Sequence, residues 1–227
     1  MASPGSRHGL VAIVEEQWGL FTRAQAQETG MAWSTLARMA RTGEVERVAH
    51  GVYRWSGVPH HELEPLRAAW LQLAPRVPAW QRVPSQGVVS HRSAASAFGI
   101  GELPADVHDF TVAGRRQTRR PDVRLHVGAL ATGDVVRVGG LLVTRPARIV
   151  ADLLRTREDV EAVGRILSEA LRSGLDDEAS CSEHLEPLAR AWQHRDGKAL
   201  MESLLTESPS GMLRGVTSFR SGGSTNG

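Results

Sequence analysis

A chain of 227 residues, 41% hydrophobic and 23% charged, can bury a core, which excludes a wholly disordered protein. Its formal net charge of +2 is too small for bulk charge to announce a nucleic-acid partner, and one cysteine, Cys181, excludes an internal disulfide and any cysteine-rich zinc site. Charge is unevenly spread: residues 1–57 carry net +1, 58–148 net +5 and 149–227 net −4. Positive potential therefore gathers in the middle of the chain, ahead of an acidic segment.

Residues 1–6 read as a flexible leader. Leu10, Val11, Val14 and Trp18 recur at helical spacing and predict a helix over 8–18, ended by Gly19. Thr22 and Gln25 then have the spacing of a capping box, and Gly30 suits the left-handed end of a short helix. Ser34 or Thr35 can cap the next helix, and Gly43 closes it. On that helix Leu36, Met39 and Ala40 share one side. Thr35, Arg38 and Thr42 share another, with Ser34 and Arg41 beside them. Val45 to Ala49 and Val52 to Trp55 are β-prone runs joined by His50-Gly51, a two-residue hairpin turn.

Helix, glycine turn, helix and basic hairpin is the order of a winged helix-turn-helix, whose second helix enters the major groove. Hydroxyls and guanidiniums on one face suit phosphates and guanine edges. The same pattern also fits an ordinary solvated face. Lys198 is the only lysine, so the basic charge is nearly all arginine, which forks onto phosphate; a high-GC coding bias yields the same imbalance.

Ser56-Gly57-Val58-Pro59 marks a boundary. Helical periodicity resumes over 61–74, with Pro65 tolerable only in the first turn, and Trp70 and Trp80 are expected to pack this helix. Pro75, Pro78 and Pro84 predict an irregular connection. Val88-Val89 reads as a strand end, and His91 to Phe98 as a short helix capped by Ser90 and closed by Gly99. Val107 to Ala113, Val123 to Val127 and Leu141 to Thr144 are strand candidates. Helices are predicted over 146–155, 157–173, 182–193 and 197–205, and residues 207–227 are expected to be a disordered tail.

The string Gly51-Val52-Tyr53-Arg54 resembles the N-terminal domain of AbiEi-type antitoxins of toxin–antitoxin operons. So does Ser90-His91-Arg92-Ser93-Ala94-Ala95 with Gly99, followed by Val143-Thr144-Arg145-Pro146-Ala147-Arg148 and Asp152-Leu153. These marks span roughly residues 8–155; after about 156 none can be matched. The resemblance implies a winged helix-turn-helix followed by an α/β antitoxin domain. It implies a repressor of its own operon that binds double-stranded DNA at inverted repeats, and a cognate toxin with a nucleotidyltransferase fold. DNA contacts would fall on Ser34, Thr35, Arg38 and Arg41 of the recognition helix and on Arg47, His50 and Arg54 of the wing.

Four arginines, Arg115, Arg116, Arg119 and Arg120, sit between two strand candidates as a second basic patch. They suit phosphate or an acidic partner surface, or form a solvated hairpin loop. His91 lacks a serine, cysteine or carboxylate at a catalytic spacing, and packing or a local hydrogen bond is the expected role. No metal-ligand or phosphate-loop pattern is present, so neither metal nor cofactor is expected. Asp196-Gly197-Lys198 is the one acidic-x-Lys element of the kind metal-dependent nucleases use, and it reads as a helix start. No run approaches ~20 apolar residues, so no membrane span is expected, and the lone cysteine fits a reducing cytoplasm.

The chain is thus read as a two-domain α/β (α+β) protein: a winged helix-turn-helix over 7–57, then a mixed α/β antitoxin domain with C-terminal helices over 58–206. It is expected to be a DNA-binding antitoxin rather than an enzyme. A ligand-responsive transcription factor without a toxin partner and a nucleic-acid-processing enzyme stand as the alternatives.

Overall fold

The structure, a computed structural model, describes residues 4–207. Helix α1 (Pro4–Glu16) turns Leu10 and Val14 inward. It begins inside the expected leader, because proline is well suited to a first helical turn. Residues 1–3 lie outside the described residues, as does the expected tail over 207–227 except Glu207, which ends a helix. Trp18 and Gly19 then take positive φ, 57° and 78°, and turn the chain into β1 (Leu20–Thr22). Three residues are too few to show alternation, so this strand had no sequence signal.

Helix α2 (Arg23–Glu28) carries the expected capping box: Gln25 N–H donates to Thr22 Oγ1 at 3.0 Å and Thr22 N–H donates to Gln25 Oε1 at 2.9 Å. Helix α3 (Trp33–Arg41) corrects the expected cap. Ala32, extended at φ −66° and ψ 146°, holds the N-cap position without a side-chain bond, and Ser34 and Thr35 lie within the first turn. Strands β2 (Val45–Ala49) and β3 (Val52–Trp55) form the hairpin. β3 is central in the antiparallel order β1-β3-β2, with Thr22 opposite Val52 and Val45 opposite Trp55. Leu10, Phe21, Ala26, Leu36, Met39 and Tyr53 pack as its core. The N-terminal region is a winged helix-turn-helix.

Helix α4 (Glu64–Leu73) holds Pro65 in its first turn and buries Leu66, Trp70 and Leu71. Trp70 is fully buried, its Nε1–H donating to Gly87 O at 2.9 Å, whereas Trp80 is 43% exposed and does not pack as expected. The five-stranded sheet comprises β4 (Val88–Val89), β5 (His108–Val112), β6 (Val123–Val127), β7 (Val135–Val138) and β8 (Leu141–Thr144), in the order β6-β5-β4-β8-β7. Helix α5 (His91–Phe98) follows β4 and ends at Gly99, φ 69°. β7 was not anticipated, because a four-residue strand with an exposed middle resembles loop.

β5 and β6 run parallel, His108 opposite Val123 and Val112 opposite Val127. This removes the hairpin-loop alternative for Arg115–Arg120. Parallel neighbours cannot be joined by a tight turn, so residues 113–122 must travel back along the strands before β6 begins.

Four helices follow: α6 (Pro146–Arg155), α7 (Val160–Arg172), α8 (Glu178–Leu185) and α9 (Gly197–Glu207). Where one helix over 182–193 was expected, α8 stops at Leu185 and a 3-10 segment, Glu186–Trp192, takes over with Pro187 in its first turn. The chain forms two compact units. Among the described residues, one takes 4–89 with Asp106–Val143 and the other takes Ser90–Ala105 with 144–207. The sequence had suggested a division at 57/58, but α4 packs against β1, β2 and β3 as well as β5, so the first unit runs through that point.

In the second unit Ile149, Val150, Leu153 and Leu154 of α6 and Val163, Ile166 and Leu167 of α7 are fully or nearly fully buried. Asp176 accepts from Ala147 N–H at 2.9 Å, a carboxylate set at the start of α6 where free N–H groups gather. Gly197 opens α9 against the Ser182 carbonyl and the Glu186 backbone, and a Cβ there would collide with both. Gly197→Ala is expected to cost about 1–3 kcal/mol through overpacking, read as a lower urea midpoint with an unchanged slope.

Candidate nucleic-acid interface

The geometry of α3 follows from its buried side. Leu36 and Met39 are 1% and 2% exposed, and this anchoring turns Trp33, Ser34, Ala37, Arg38 and Arg41 outward. Thr35 is half-buried. Arg38 Nη1 donates to Glu44 Oε1 at 3.0 Å, but 51% of its side chain remains exposed. A surface pair of this kind contributes only ~0–1 kcal/mol. Arg38 can therefore exchange Glu44 for a phosphate or a base edge.

Two residues overlooked in the sequence complete this face. The Arg23 guanidinium lies 4.1 Å from the centroid of the Trp33 ring, joining the first turns of α2 and α3. Trp33 is 45% exposed. The available signal was an arginine just after a helix cap and a tryptophan opening a polar helix face. Their ten-residue separation hid the contact.

The hairpin turn is held close to the body. Gly51, at φ 69°, accepts from Arg23 N–H at 2.8 Å, and Gln72 Nε2–H donates to His50 O at 2.7 Å. Arg47 and His50 are exposed, and Arg47 Nη2 donates to His50 Nδ1 at 3.1 Å.

Arg54 is 3% exposed, because β3 is the central strand and the side chain is turned inward. Its Nη1 donates to Glu64 Oε2 at 2.9 Å, and its Nη2 pairs with Glu46. His60 Nε2 lies 2.8 Å from Nη2. The string Gly51-Val52-Tyr53-Arg54 therefore serves packing, and Arg54 leaves the set of candidate contacts.

The second basic patch divides by role. Arg115, Arg116 and Arg119 are exposed. Arg120 is partly buried, donating from Nε to Asp122 Oδ1 at 2.9 Å and from Nη1 to Gln72 Oε1. That hydrogen-bonded guanidinium holds the Asp122 carboxyl below its ordinary range. Arg116 Nη1 donates to Leu73 O at 3.3 Å. A cavity of about 440 Å³ opens between the start of α2, the hairpin turn and the end of α4, with Arg23, Gln27, His50, Gln72 and Arg120 among its walls.

The other titratable groups are structural in setting. Ser90 holds the N-cap position of α5 but caps nothing; its Oγ lies 3.0 Å from His91 Nδ1, and His91 is 5% exposed. Asp196 Oδ1 accepts from Ala199 N–H at 2.7 Å, so Asp196-Gly197-Lys198 is a capped helix start. No group of three or more His, Cys, Asp or Glu among the described residues could hold a metal. No described helix is long and apolar enough to cross a membrane. Burial first, then Asp176, pushes the Cys181 thiol up to about 12.

Residues 10–54 match the model of the family described as a transcriptional regulator, AbiEi antitoxin. The resemblance read from the sequence is thereby borne out over those residues, which hold most of α1 and nearly all of the winged fold. No curated protein matches the chain.

Two outcomes test this placement. Arg54→Ala leaves Glu46 and Glu64 without their buried partner and is expected to cost about 3–5 kcal/mol of folding stability, measured by chemical denaturation. Cys181, held as a thiol, should resist alkylation at pH 8 in the folded chain and react only after denaturant is added.

Proposed function

We propose that this AbiEi-type regulator is a DNA-binding antitoxin that represses its own operon and opposes a nucleotidyltransferase-like toxin encoded beside it. It acts in the cytoplasm and reads inverted repeats by laying α3 in the major groove. Arg38 and Arg41 reach guanine edges or phosphates, and Ser34 bonds the backbone. Arg47 and His50 hold the flanking strand beside the turn.

One observation carries this reading. The recognition helix is anchored by Leu36 and Met39 while Arg38 and Arg41 face outward, with a half-buried carboxylate, Glu44, beside Arg38. A helix so held keeps its position when it meets a duplex, and Arg38 has only to exchange Glu44 for a DNA group. The family match over 10–54 supports a regulator and antitoxin role for the same segment.

The acidic C-terminal region, net −4 over 149–227, is the natural side for a protein partner because it repels DNA. Co-expression with the neighbouring gene tests the antitoxin role: growth rescue is expected, and unrelieved toxicity would remove it. For the repressor role, Arg38→Ala should weaken binding to the chain's own promoter by ~1–3 kcal/mol and relax preference at one base pair. A salt-controlled gel shift reads both effects, and unchanged affinity and preference would refute the recognition-helix assignment.

A further inference from the structure

We propose that the arginine-bearing connection between β5 and β6, residues 113–122, is a second DNA-contacting element that binds the phosphate backbone beside the hairpin turn. The inference rests on the operator-binding reading above and extends it to a surface outside the family match.

The topology places the loop. Because β5 and β6 are parallel, the connection runs back along the strands instead of turning at their ends. It lands on the carbonyl end of α4, where Arg116 reaches Leu73 O at 3.3 Å and Arg120 reaches Gln72. Gln72 faces both ways: its Oε1 accepts from Arg120, and its Nε2–H donates to His50 O at 2.7 Å. One side chain thus ties the loop to the hairpin turn. Arg23, whose N–H holds Gly51 O at 2.8 Å, and Arg47, paired with His50 at 3.1 Å, extend the same basic tract toward α3.

The charges divide into a support and a contact surface. Arg120 is matched by Asp122 and acts as the post that holds the loop. Arg115, Arg116 and Arg119 are exposed, whereas Arg120 is half-buried and held by a carboxylate. Three neighbouring guanidiniums repel one another, and a polyanion relieves that repulsion while releasing counterions. DNA is favoured over an acidic protein because the loop is fastened to the turn that already carries Arg47 and His50, so one backbone track serves both. No base-reading role is assigned to the loop; its contribution is independent of sequence.

The test uses the full chain, the duplex from its own promoter and an unrelated duplex of equal length, with binding followed by fluorescence anisotropy across a salt series. For Arg115→Ala/Arg116→Ala/Arg119→Ala, affinity should fall by the same factor on both duplexes, on the order of tenfold or more. The slope of log K against log salt should become shallower by about 2–3, near 0.9 for each lost phosphate contact. The corresponding triple lysine variant should keep most of the slope. Arg38→Ala should instead act mainly on the promoter duplex.

An unchanged affinity and slope in the triple alanine variant, with Arg38→Ala still weakening promoter binding, overturns the loop and leaves the recognition helix in place. Intact DNA binding combined with lost capture of the co-expressed neighbouring protein also overturns it, in favour of a protein-facing surface. A wild-type chain that binds neither duplex overturns the operator reading and this inference together.

Discussion

The carbonyl end of α4 is the constraint on which the first unit depends. A helix leaves its last four carbonyls without partners, and burying them unpaired is costly. Pro75 and the connection that follows prevent continuation of α4, so the groups must be satisfied from elsewhere. Arg82 supplies most of the answer, donating to Trp70 O, to Leu71 O at 2.6 Å and to Ala74 O at 2.7 Å. Burial lowers its pKa to about 9, which leaves it cationic at neutral pH against the negative end of the helix dipole. Thr22 donates to Pro75 O and Arg116 to Leu73 O. One helix end thus gathers the start of α2, the loop after β5 and, through Gln72, the hairpin turn.

That arrangement connects stability to the binding surface. The winged fold shares α4 with the five-stranded sheet, and Trp18 adds a second tie by donating to Gly139 O at 2.8 Å. The buried arginines Arg54, Arg67 and Arg82 serve architecture, whereas Arg38, Arg41, Arg47 and Arg115 remain at the surface. Arginine content alone does not separate the two groups. A guanidinium has five donors in a fixed fork, which suits carbonyl clusters and carboxylates inside the protein as well as phosphates outside it.

Local signals were legible where physics is local. The Thr22–Gln25 capping box, the left-handed glycines at 30, 43 and 99, and the Val45–Ala49 and Val52–Trp55 hairpin are set by neighbouring residues, and each is found in place. Short strands such as Leu20–Thr22 were not legible, since three residues carry no period and gain their hydrogen bonds only from β3. The fate of Arg54 was not legible either, because Glu64, which pairs with it, lies on a different element.

The sequence by itself determined a winged helix-turn-helix, an outward arginine face on its second helix and a basic segment further on, because periodicity, caps and turn residues act within a few positions along the chain. Only the tertiary structure decided which arginines are buried and where the Arg115–Arg120 segment lies. Parallel pairing of β5 with β6, and the unmet carbonyls at the end of α4, are relations between distant residues that no local pattern encodes.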